Sequence, residues 1–265
     1  MTQSIIGSIY DYPNVYDVLF SDTCRSEINF LTAMFERLGN KSVASVFEPA
    51  CGSGRLLYHL AKRGFTVTGL DLNPHSVAFC NRRLQRHGFQ ESAHVGNMAS
   101  FSLADLGRKK FDAAFNLVSS FLHLTTEADA QQHLHAIADV LKPGGVYLLG
   151  IHLKPKGKQH CLQERWSLRR GSLSVKSHLK SLSQDLKKRI EIIEVHIEAK
   201  TPKKHYKIVD RFPFRIYTAK QFSDLLAAVN RFDVLETYSF DYDVSQPIKV
   251  TADAEDVVYV LKSRR

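Results

Sequence analysis

The sequence is poor in cysteine, and its cysteines show none of the spacings that disulfide or zinc chemistry uses. The four cysteines are Cys24, Cys51, Cys80 and Cys161, and no two of them form a C-x-x-C pair. We therefore expect free thiols, with neither a disulfide framework nor a zinc site. Twelve histidines are present without an H-E-x-x-H or similar spacing, so we expect no bound metal.

Long hydrophobic runs are also missing. No apolar stretch approaches the roughly 18 residues that a membrane-spanning helix needs. Residues 1–12 contain no Lys or Arg and no long apolar core, which distinguishes them from a secretory signal. These absences predict a cytoplasmic protein without a membrane partner.

The composition is that of an ordinary globular protein. Of the 265 residues, 44% are hydrophobic and 24% are charged, and the mean hydropathy is -0.21. These values argue against disorder, collagen or coiled coil for the chain as a whole. The length suits one large α/β domain or a core with an insert.

Strand and helix patterns alternate through the first half of the chain. Short apolar runs predict strands at residues 43–47, 66–70, 93–95, 111–116 and 146–152. Amphipathic or capped segments predict helices at residues 26–38, 55–63, 74–87 and 127–141. Such alternation indicates right-handed crossovers and a doubly wound, mostly parallel sheet.

The alternation stops in the middle of the chain and then returns. Four consecutive strands are predicted at residues 165–169, 173–182, 189–199 and 206–214, followed by a helix at 218–229 and strands at 232–242 and 257–261. We therefore predict four regions: an N-terminal lid and helix (1–40), a core (41–155), an antiparallel β insert (156–212) and the C-terminal part of the core (213–265).

The positive charge of the chain is concentrated in the predicted insert. Residues 154–211 contain 16 basic and 6 acidic residues, a net +10, while the rest of the chain carries a net -1. This block predicts either a solvated face or a surface for an anionic substrate, an acidic protein or nucleic acid. Nucleic acid is the least favoured, because the basic residues alternate with apolar ones instead of forming a tail.

A glycine-rich loop follows the first predicted strand of the core. It reads Glu48-Pro-Ala-Cys-Gly52-Ser-Gly54 and leads directly into a helix. Glycines there let a ligand approach the backbone, and the helix N-terminus offers free N–H groups. A dinucleotide fingerprint needs a third glycine at position 57, which is Leu57. A carboxylate at Glu48 suits a ligand with a positive charge, such as an amino-acid ammonium.

This loop resembles motif I of the class I S-adenosylmethionine-dependent methyltransferases, with Ala50 in place of the first glycine. Asp71 ends the second strand about 20 residues further on, where that family places an acid for the ribose. Asn97 stands where the family usually has Asp. Residues 111–123 and 141–145 resemble the fourth-strand motif and the turn before strand five.

The resemblance implies a seven-stranded sheet whose last strand is antiparallel, with S-adenosylmethionine across the carboxyl ends of its strands. The residues it assigns to the cofactor are Glu48, Ala50, Cys51, Gly52 and Gly54 in the loop, Asp71 and Leu72 after the second strand, Asn97 and Met98 at the adenine, and Asn116 and Leu117 near the sulfonium.

Aromatic residues before the first helix resemble the lid of small-molecule methyltransferases. Tyr10, Tyr12 and Tyr16 are candidates for it, since tyrosine offers a π-face to a sulfonium and a hydroxyl to an amine; the alternative is a packed aromatic helix edge. Tyr16 and His123 are the predicted catalytic residues, because His123 follows the fourth strand and an unperturbed imidazole titrates near 6.5. A capping or core role is the alternative for His123.

The predicted function is methyl transfer to an amine or hydroxyl of a small molecule. Arg165, Trp166 and Tyr217 are candidate acceptor contacts, with structural roles as the alternative. A second hypothesis is a lysine or N-terminal amine on an acidic protein, and RNA is a weaker one. A non-catalytic protein that keeps the cofactor fold is a further alternative. We expect a monomer or a homodimer.

Overall fold

The structure, a computed structural model, describes residues 2–22, 24–38, 43–107, 109–155 and 163–264. The strands are β1 (Thr2–Ile6), β2 (Ser45–Pro49), β3 (Thr66–Asp71), β4 (Ala93–Val95), β5 (Phe111–Asn116), β6 (Leu141–His152), β7 (Gln163–Arg170), β8 (Leu173–Asp185), β9 (Ile190–Lys200), β10 (His205–Arg215), β11 (Phe232–Tyr238) and β12 (Asp256–Ser263). The α-helices are α1 (Pro13–Leu19), α2 (Cys24–Leu38), α3 (Arg55–Ala61), α4 (Pro74–Arg86), α5 (Glu127–Val140) and α6 (Ala219–Val229). Short 3-10 helices span Ile9–Asp11 and Ser120–His123.

Seven strands form the central sheet, in the order β11-β12-β6-β5-β2-β3-β4. Strand β12 runs antiparallel to both of its neighbours, and the pairs from β6 through β4 are parallel. This is the predicted doubly wound sheet with an antiparallel last strand, so the fold prediction is confirmed.

Helices cover both faces of the central sheet. One apolar cluster joins the sheet to α5 and α6 through residues such as Leu134, Ile137 and Leu225. A second cluster joins the other face to α2, α3 and α4, through residues such as Leu31 and Leu57. Because both faces are buried, the parallel strands read as short apolar runs.

The basic segment forms a second sheet, in the order β1-β10-β9-β8-β7. Strands β7 to β10 pair antiparallel as predicted, and β1 adds a parallel fifth strand that the sequence pattern did not indicate. The N-terminal segment therefore begins as part of the insert sheet before it reaches the lid.

Strict alternation gives the insert sheet two different faces. Val175, Ile197 and Ile208 point inward and pack against α1. Their neighbours along the strands, such as Lys176 and Lys207, are exposed on the outer face. Since side chains alternate with period two, the excess of charge and the apolar core come from the same strands.

Several element boundaries differ from the sequence patterns; for example, β6 begins at Leu141 rather than at 146. Strand β11 ends at Tyr238 rather than at 242, because Ser239 and Asp243 bond to nearby backbone N–H groups and form turns. Helix α1 agrees with the helical N-terminal segment that the resemblance implies, and Pro13 stands at its first turn. None of the described helices is both long and apolar enough to cross a bilayer.

A buried histidine ties α5 to the loop that follows β4. His133 is fully buried, with Nδ1 2.8 Å from the Met98 carbonyl oxygen and Nε2 2.9 Å from the Tyr147 hydroxyl. A carbonyl can only accept, so Nδ1 carries the proton and Nε2 accepts from Tyr147. Burial lowers the pKa of His133 from 6.5 to about 4, which keeps the ring neutral at pH 7.

The buried neutral ring predicts a loss of stability in mild acid. Below pH 6.5 the unfolded chain binds a proton that folded His133 does not bind until about pH 4, so the free energy of unfolding falls as the pH falls through that window. In His133→Gln the slope against pH should be smaller by up to about 1.4 kcal/mol per pH unit. Urea unfolding between pH 7 and 4 measures this slope, and Gln132→Ala on the same helix is the control. Identical slopes in wild type and His133→Gln would contradict the assignment.

Candidate functional site

The glycine loop leaves β2 at the carboxyl edge of the central sheet. Three of its residues have positive φ: Ala50 (56°), Gly52 (54°) and Gly54 (67°). At Gly54 a Cβ atom would overlap the Cys80 sulfur, so glycine is required both by conformation and by space. The loop can therefore present its backbone closely to a ligand.

Two polar side chains beside this loop each have one oxygen without a hydrogen-bond partner in the described part of the chain. Glu48 is 8% exposed, and its Oε2 has no hydrogen-bond partner within the described part of the chain. Asn116 donates from Nδ2 to the Pro49 carbonyl at 3.1 Å, and its Oδ1 is likewise unpaired there. Both residues line one small cavity with Gly52. An unpaired buried acceptor costs about 1–3 kcal/mol, so the cavity favours a ligand that donates hydrogen bonds.

The charge state of Glu48 depends on what fills that cavity. Burial raises the pKa of Glu48 well above its usual value, and the Arg55 guanidinium opposes that shift only in part. A cationic donor at Oε2 would favour the ionised form. The geometry therefore fits an ammonium group, as the sequence predicts for the methionine half of S-adenosylmethionine.

Asp71 shapes the loop from the end of β3. Its Oδ2 accepts from the Gly52 N–H and its Oδ1 accepts from the Asn73 N–H, both at 2.8 Å. Each carboxylate oxygen has a second lone pair, so Asp71 can still accept from a ribose hydroxyl. Leu72 follows it and is 71% exposed, which leaves an apolar surface for a flat ring.

The loop after β4, which the resemblance assigns to the adenine, is stabilised by the side chain of its own residue Asn97. Asn97 Oδ1 accepts from the Ala99 N–H at 2.9 Å, and the Met98 carbonyl is bonded to His133. The Asn97 amide oxygen thus helps to form the turn in which it lies. This bond restrains the residue that replaces the usual Asp of the family.

The N-terminal aromatic residues cover the glycine loop. A Cβ at Gly52 would lie 3.7 Å from the ring of Tyr16, so this ring lies directly over the loop. Tyr16 packs on Phe20 and Tyr10, with ring centroids 4.5 and 5.6 Å apart. Tyr12 instead packs near Tyr206, at 6.1 Å, on the insert sheet.

Tyr10 and His123 form a pair under this cover. The Tyr10 hydroxyl lies 2.9 Å from His123 Nε2. Burial lowers the pKa of His123 to about 4, so the imidazole is neutral at pH 7 and can accept this bond. The rings of Phe212 and Phe214 enclose His123 at centroid distances of 5.2 and 4.7 Å.

A buried carboxylate that the sequence did not single out anchors the lid. Asp17 is 1% exposed; it accepts from the Ser53 hydroxyl at 2.8 Å and pairs with Arg83 and Arg170. Arg170 also donates to the Asp17 carbonyl at 3.0 Å. Burial alone would raise the pKa of Asp17, but the bond from Arg83 and its other partners outweigh that effect and lower it. The residue therefore connects α1 to the glycine loop, α4 and the insert.

The three predicted acceptor contacts lie in different places. Trp166 is on the inner face of the insert, where Nε1 donates to the Leu19 carbonyl at 3.3 Å. Arg165 is on the opposite, outer face and borders a groove there. Tyr217 is fully buried against Phe121, at the boundary between the two sheets. The structure brings Trp166 to the lid and places Arg165 and Tyr217 away from the glycine loop.

The described residues contain no group of side chains suited to binding a metal ion. Within the described ranges, no three His, Cys, Asp or Glu side chains are grouped so that they could hold a metal ion. The described cysteines, Cys24, Cys51 and Cys80, are free and buried. Cys161 lies outside the described residues.

Comparison with known proteins agrees with this geometry. A family model described as a methyltransferase domain matches residues 46–145. A dTDP-3-amino-3,6-dideoxy-alpha-D-glucopyranose N,N-dimethyltransferase from Streptomyces fradiae is 34% identical over 119 residues, 45% of this chain and 43% of the relative. The chain spans about half the length of the first curated relatives that it matches.

Solved structures extend the likeness to nearly the whole chain. An S-adenosylmethionine-dependent methyltransferase from Clostridium acetobutylicum superposes with a TM-score of 0.78 at 16% identity, covering 96% of this chain and 98% of that one. A sugar N-methyltransferase from Streptoalloteichus superposes with a TM-score of 0.73 at 19% identity, covering 100% and 96%. The cofactor that these comparisons support is S-adenosylmethionine. Residues 46–145 are therefore a methyltransferase domain, and the chain has the fold of the class I S-adenosylmethionine-dependent methyltransferases.

Proposed function

We propose that this protein transfers a methyl group from S-adenosylmethionine to the amine nitrogen of a small-molecule acceptor. The observation that carries the proposal is the neutral Tyr10–His123 pair, enclosed by aromatic rings beside the unpaired acceptors of the cofactor cavity. Two similar proteins, an amino-sugar N,N-dimethyltransferase and a sugar N-methyltransferase, support nitrogen as the acceptor atom.

The cofactor, when bound, supplies a methyl group on a sulfonium that is already activated for displacement. Glu48 Oε2 and Asn116 Oδ1 would accept from its ammonium, and Asp71 would accept from its ribose. Leu72, Asn97 and Met98 would hold the adenine. Tyr16 would offer its π-face to the positive sulfur, an attraction of about 0.5–2 kcal/mol.

Tyr16 also acts as a movable cover. The cavity beside Glu48 and Gly52 measures about 20 Å³, which is room for about one water molecule. The methionine half of the cofactor is larger, so the Tyr16 ring would have to move outward to admit it. A Tyr16 ring that returned over the bound cofactor would exclude water from the site.

The Tyr10–His123 pair positions the amine and is too weak a base to deprotonate it. An alkyl ammonium has a pKa of about 10, as lysine does, so a proton transfer to a base with a pKa of about 4 is uphill by about six units, or roughly 8 kcal/mol. The amine therefore loses its proton to solvent. The Tyr10 oxygen then accepts one N–H and directs the nitrogen lone pair toward the methyl group.

The same argument separates the alternative acceptors. An aliphatic hydroxyl holds its proton more tightly than an ammonium does, so a base this weak serves it even less well. The basic outer face of the insert, which the charge pattern associates with an acidic protein, points away from the lid. Neither alternative gains support from the Tyr10–His123 pair.

Removal of the Asp71 carboxylate should weaken cofactor binding. We expect Asp71→Ala to raise the Kd for S-adenosylmethionine at least tenfold, or about 1.4 kcal/mol, because both the ribose acceptor and the bond to Gly52 N–H are lost. Isothermal titration calorimetry measures the change, with the exposed Asp224→Ala on α6 as the control. Unchanged affinity in Asp71→Ala would overturn the assigned pocket.

Changes to the pair should lower turnover without weakening cofactor binding. We expect Tyr10→Phe and His123→Ala to reduce kcat at least tenfold, because the amine is no longer oriented. In wild type, kcat/KM should increase with pH as the acceptor amine loses its proton. The shape of this pH dependence should be the same in both variants.

Tritiated methyl transfer to fractionated small-molecule amines from a lysate tests this, with Tyr58→Phe on α3 as the control. A rising limb that disappears in His123→Ala would show that His123 is the base. Label found only in protein or RNA would refute a small-molecule acceptor.

A further inference from the structure

A second cavity lies between the central sheet and the insert, outside the cofactor site. It measures about 150 Å³, the size of a cavity that holds one six-membered ring. Its walls come from the ends of β6 and β12 and from the insert strands. Leu122 borders it, whereas Ser120 of the same 3-10 helix borders the cofactor cavity. Two residues of 3-10 helix span about 4 Å, so the two cavities are near neighbours.

Carboxylates outnumber cations in this cavity, although the chain as a whole carries +9. The acidic residues that line it are Glu164, Glu191, Glu255 and Asp256, and the basic ones are Lys154 and Arg215, with His152 beside Asp256. Burial alone would lower the pKa of His152, but the bond to Asp256 outweighs it, with smaller contributions from Glu164 and Glu191, and the pKa is raised. The negative charges of Asp256, Glu164 and Glu191 therefore all lie close enough to affect His152.

Two buried polar residues line the cavity, Tyr217 at 0% and Arg215 at 8% exposure. The Tyr217 hydroxyl and Arg215 Nε meet no partner by hydrogen-bond geometry within the described part of the chain, but the Arg215 guanidinium lies 5.5 Å from the Tyr217 ring centroid and interacts with the hydroxyl. The rest of the Arg215 guanidinium is occupied by Thr125 and Glu127. A ligand hydroxyl could satisfy both groups if it displaced this weak contact.

One aromatic side chain separates the cavity from the proposed catalytic pair. Phe214 lines the cavity and packs edge-on against His123 at 4.7 Å. A substituent on a ligand ring in the cavity would reach the Tyr10 hydroxyl once the Phe214 ring moved aside.

We propose that this cavity binds the acceptor, and that the acceptor is a ring-sized polar amine with a second ammonium group. The second ammonium lies among Glu164, Glu191 and Asp256. A ring hydroxyl pairs with Tyr217 and Arg215, while the reacting nitrogen extends to Tyr10 and His123. This inference rests on the proposed function and names the substrate class of that site.

The test compares ring amines that differ in one charge. Tritiated S-adenosylmethionine is incubated with trans-1,4-diaminocyclohexane, its mono-N-acetyl derivative and cyclohexylamine. We expect kcat/KM for the diamine to exceed that for the two monoamines at least tenfold. In the double variant Glu164→Gln, Glu191→Gln this preference should fall to near parity through KM, with the Kd for S-adenosylmethionine unchanged. Glu198→Gln on the outer face of the insert is the control.

Equal use of the diamine and the monoamines, or a preference that the double variant retains, would overturn the inference while leaving the proposed function intact. If wild type labels none of the amines, the proposed function is what fails in this assay. Calorimetric titration of the diamine in the presence of S-adenosylhomocysteine then decides the inference separately. Binding that the double variant loses supports the cavity, and no binding to wild type overturns it.

A second variant separates recognition from folding. Tyr217→Phe removes a buried hydroxyl whose contact with Arg215 is weak, so its thermal midpoint should equal or exceed that of wild type. For 2-aminocyclohexanols, which carry a ring hydroxyl, KM should still rise severalfold. A rise in stability with no change in KM would show that Tyr217 has no role in binding.

Discussion

The buried Asp17 carboxylate is the interaction on which the arrangement of this site depends. A charge with 1% exposure is stable only when it is paired and hydrogen-bonded. Its partners come from three other parts of the chain: Ser53 in the glycine loop, Arg83 in α4 and Arg170 in the hairpin of the insert. One side chain thus fixes the positions of α1, the glycine loop and the insert relative to one another. Tyr16, the residue beside it, owes its place over Gly52 to this anchoring.

A second buried pair supports the same loop from the other side. Arg55, the first residue of α3, is bonded to Glu27 of α2, with Nη2 2.7 Å from Oε1. Because Glu27 satisfies this guanidinium, Arg55 does not form a salt bridge with Glu48. The Glu48 carboxylate therefore keeps an unpaired oxygen for a ligand. The cavity retains its unpaired acceptors because the nearby cation is bound elsewhere.

Local sequence patterns predicted most of the fold, but they could not predict contacts between segments that are distant in the sequence. Strand β2 with Glu48, the glycine loop and Asp71 lie within about 25 residues, and the resemblance to the family's motifs, which depends on that spacing, implies their roles. The pairing of β1 with β10 joins segments about 200 residues apart and leaves no periodic signal. Likewise, Tyr10 and His123 are 113 residues apart. The sequence indicated each residue as a candidate, but only the folded structure shows that the Tyr10 hydroxyl and the His123 imidazole form a hydrogen bond.

The insert shows that the net charge of a segment does not give the charge of each of its surfaces. The net +10 of residues 154–211 predicts either a solvated face or an anionic partner, and strand alternation places Lys176 and Lys207 on the outer face. The residues that the insert contributes to the inner cavity include Glu164 and Glu191, which are acidic. A methyl group on a sulfonium is already activated, so selectivity among acceptors has to come from binding. Under the proposed function, the part of the insert that would face the acceptor is the small acidic part, whereas Lys176 and Lys207 face solvent.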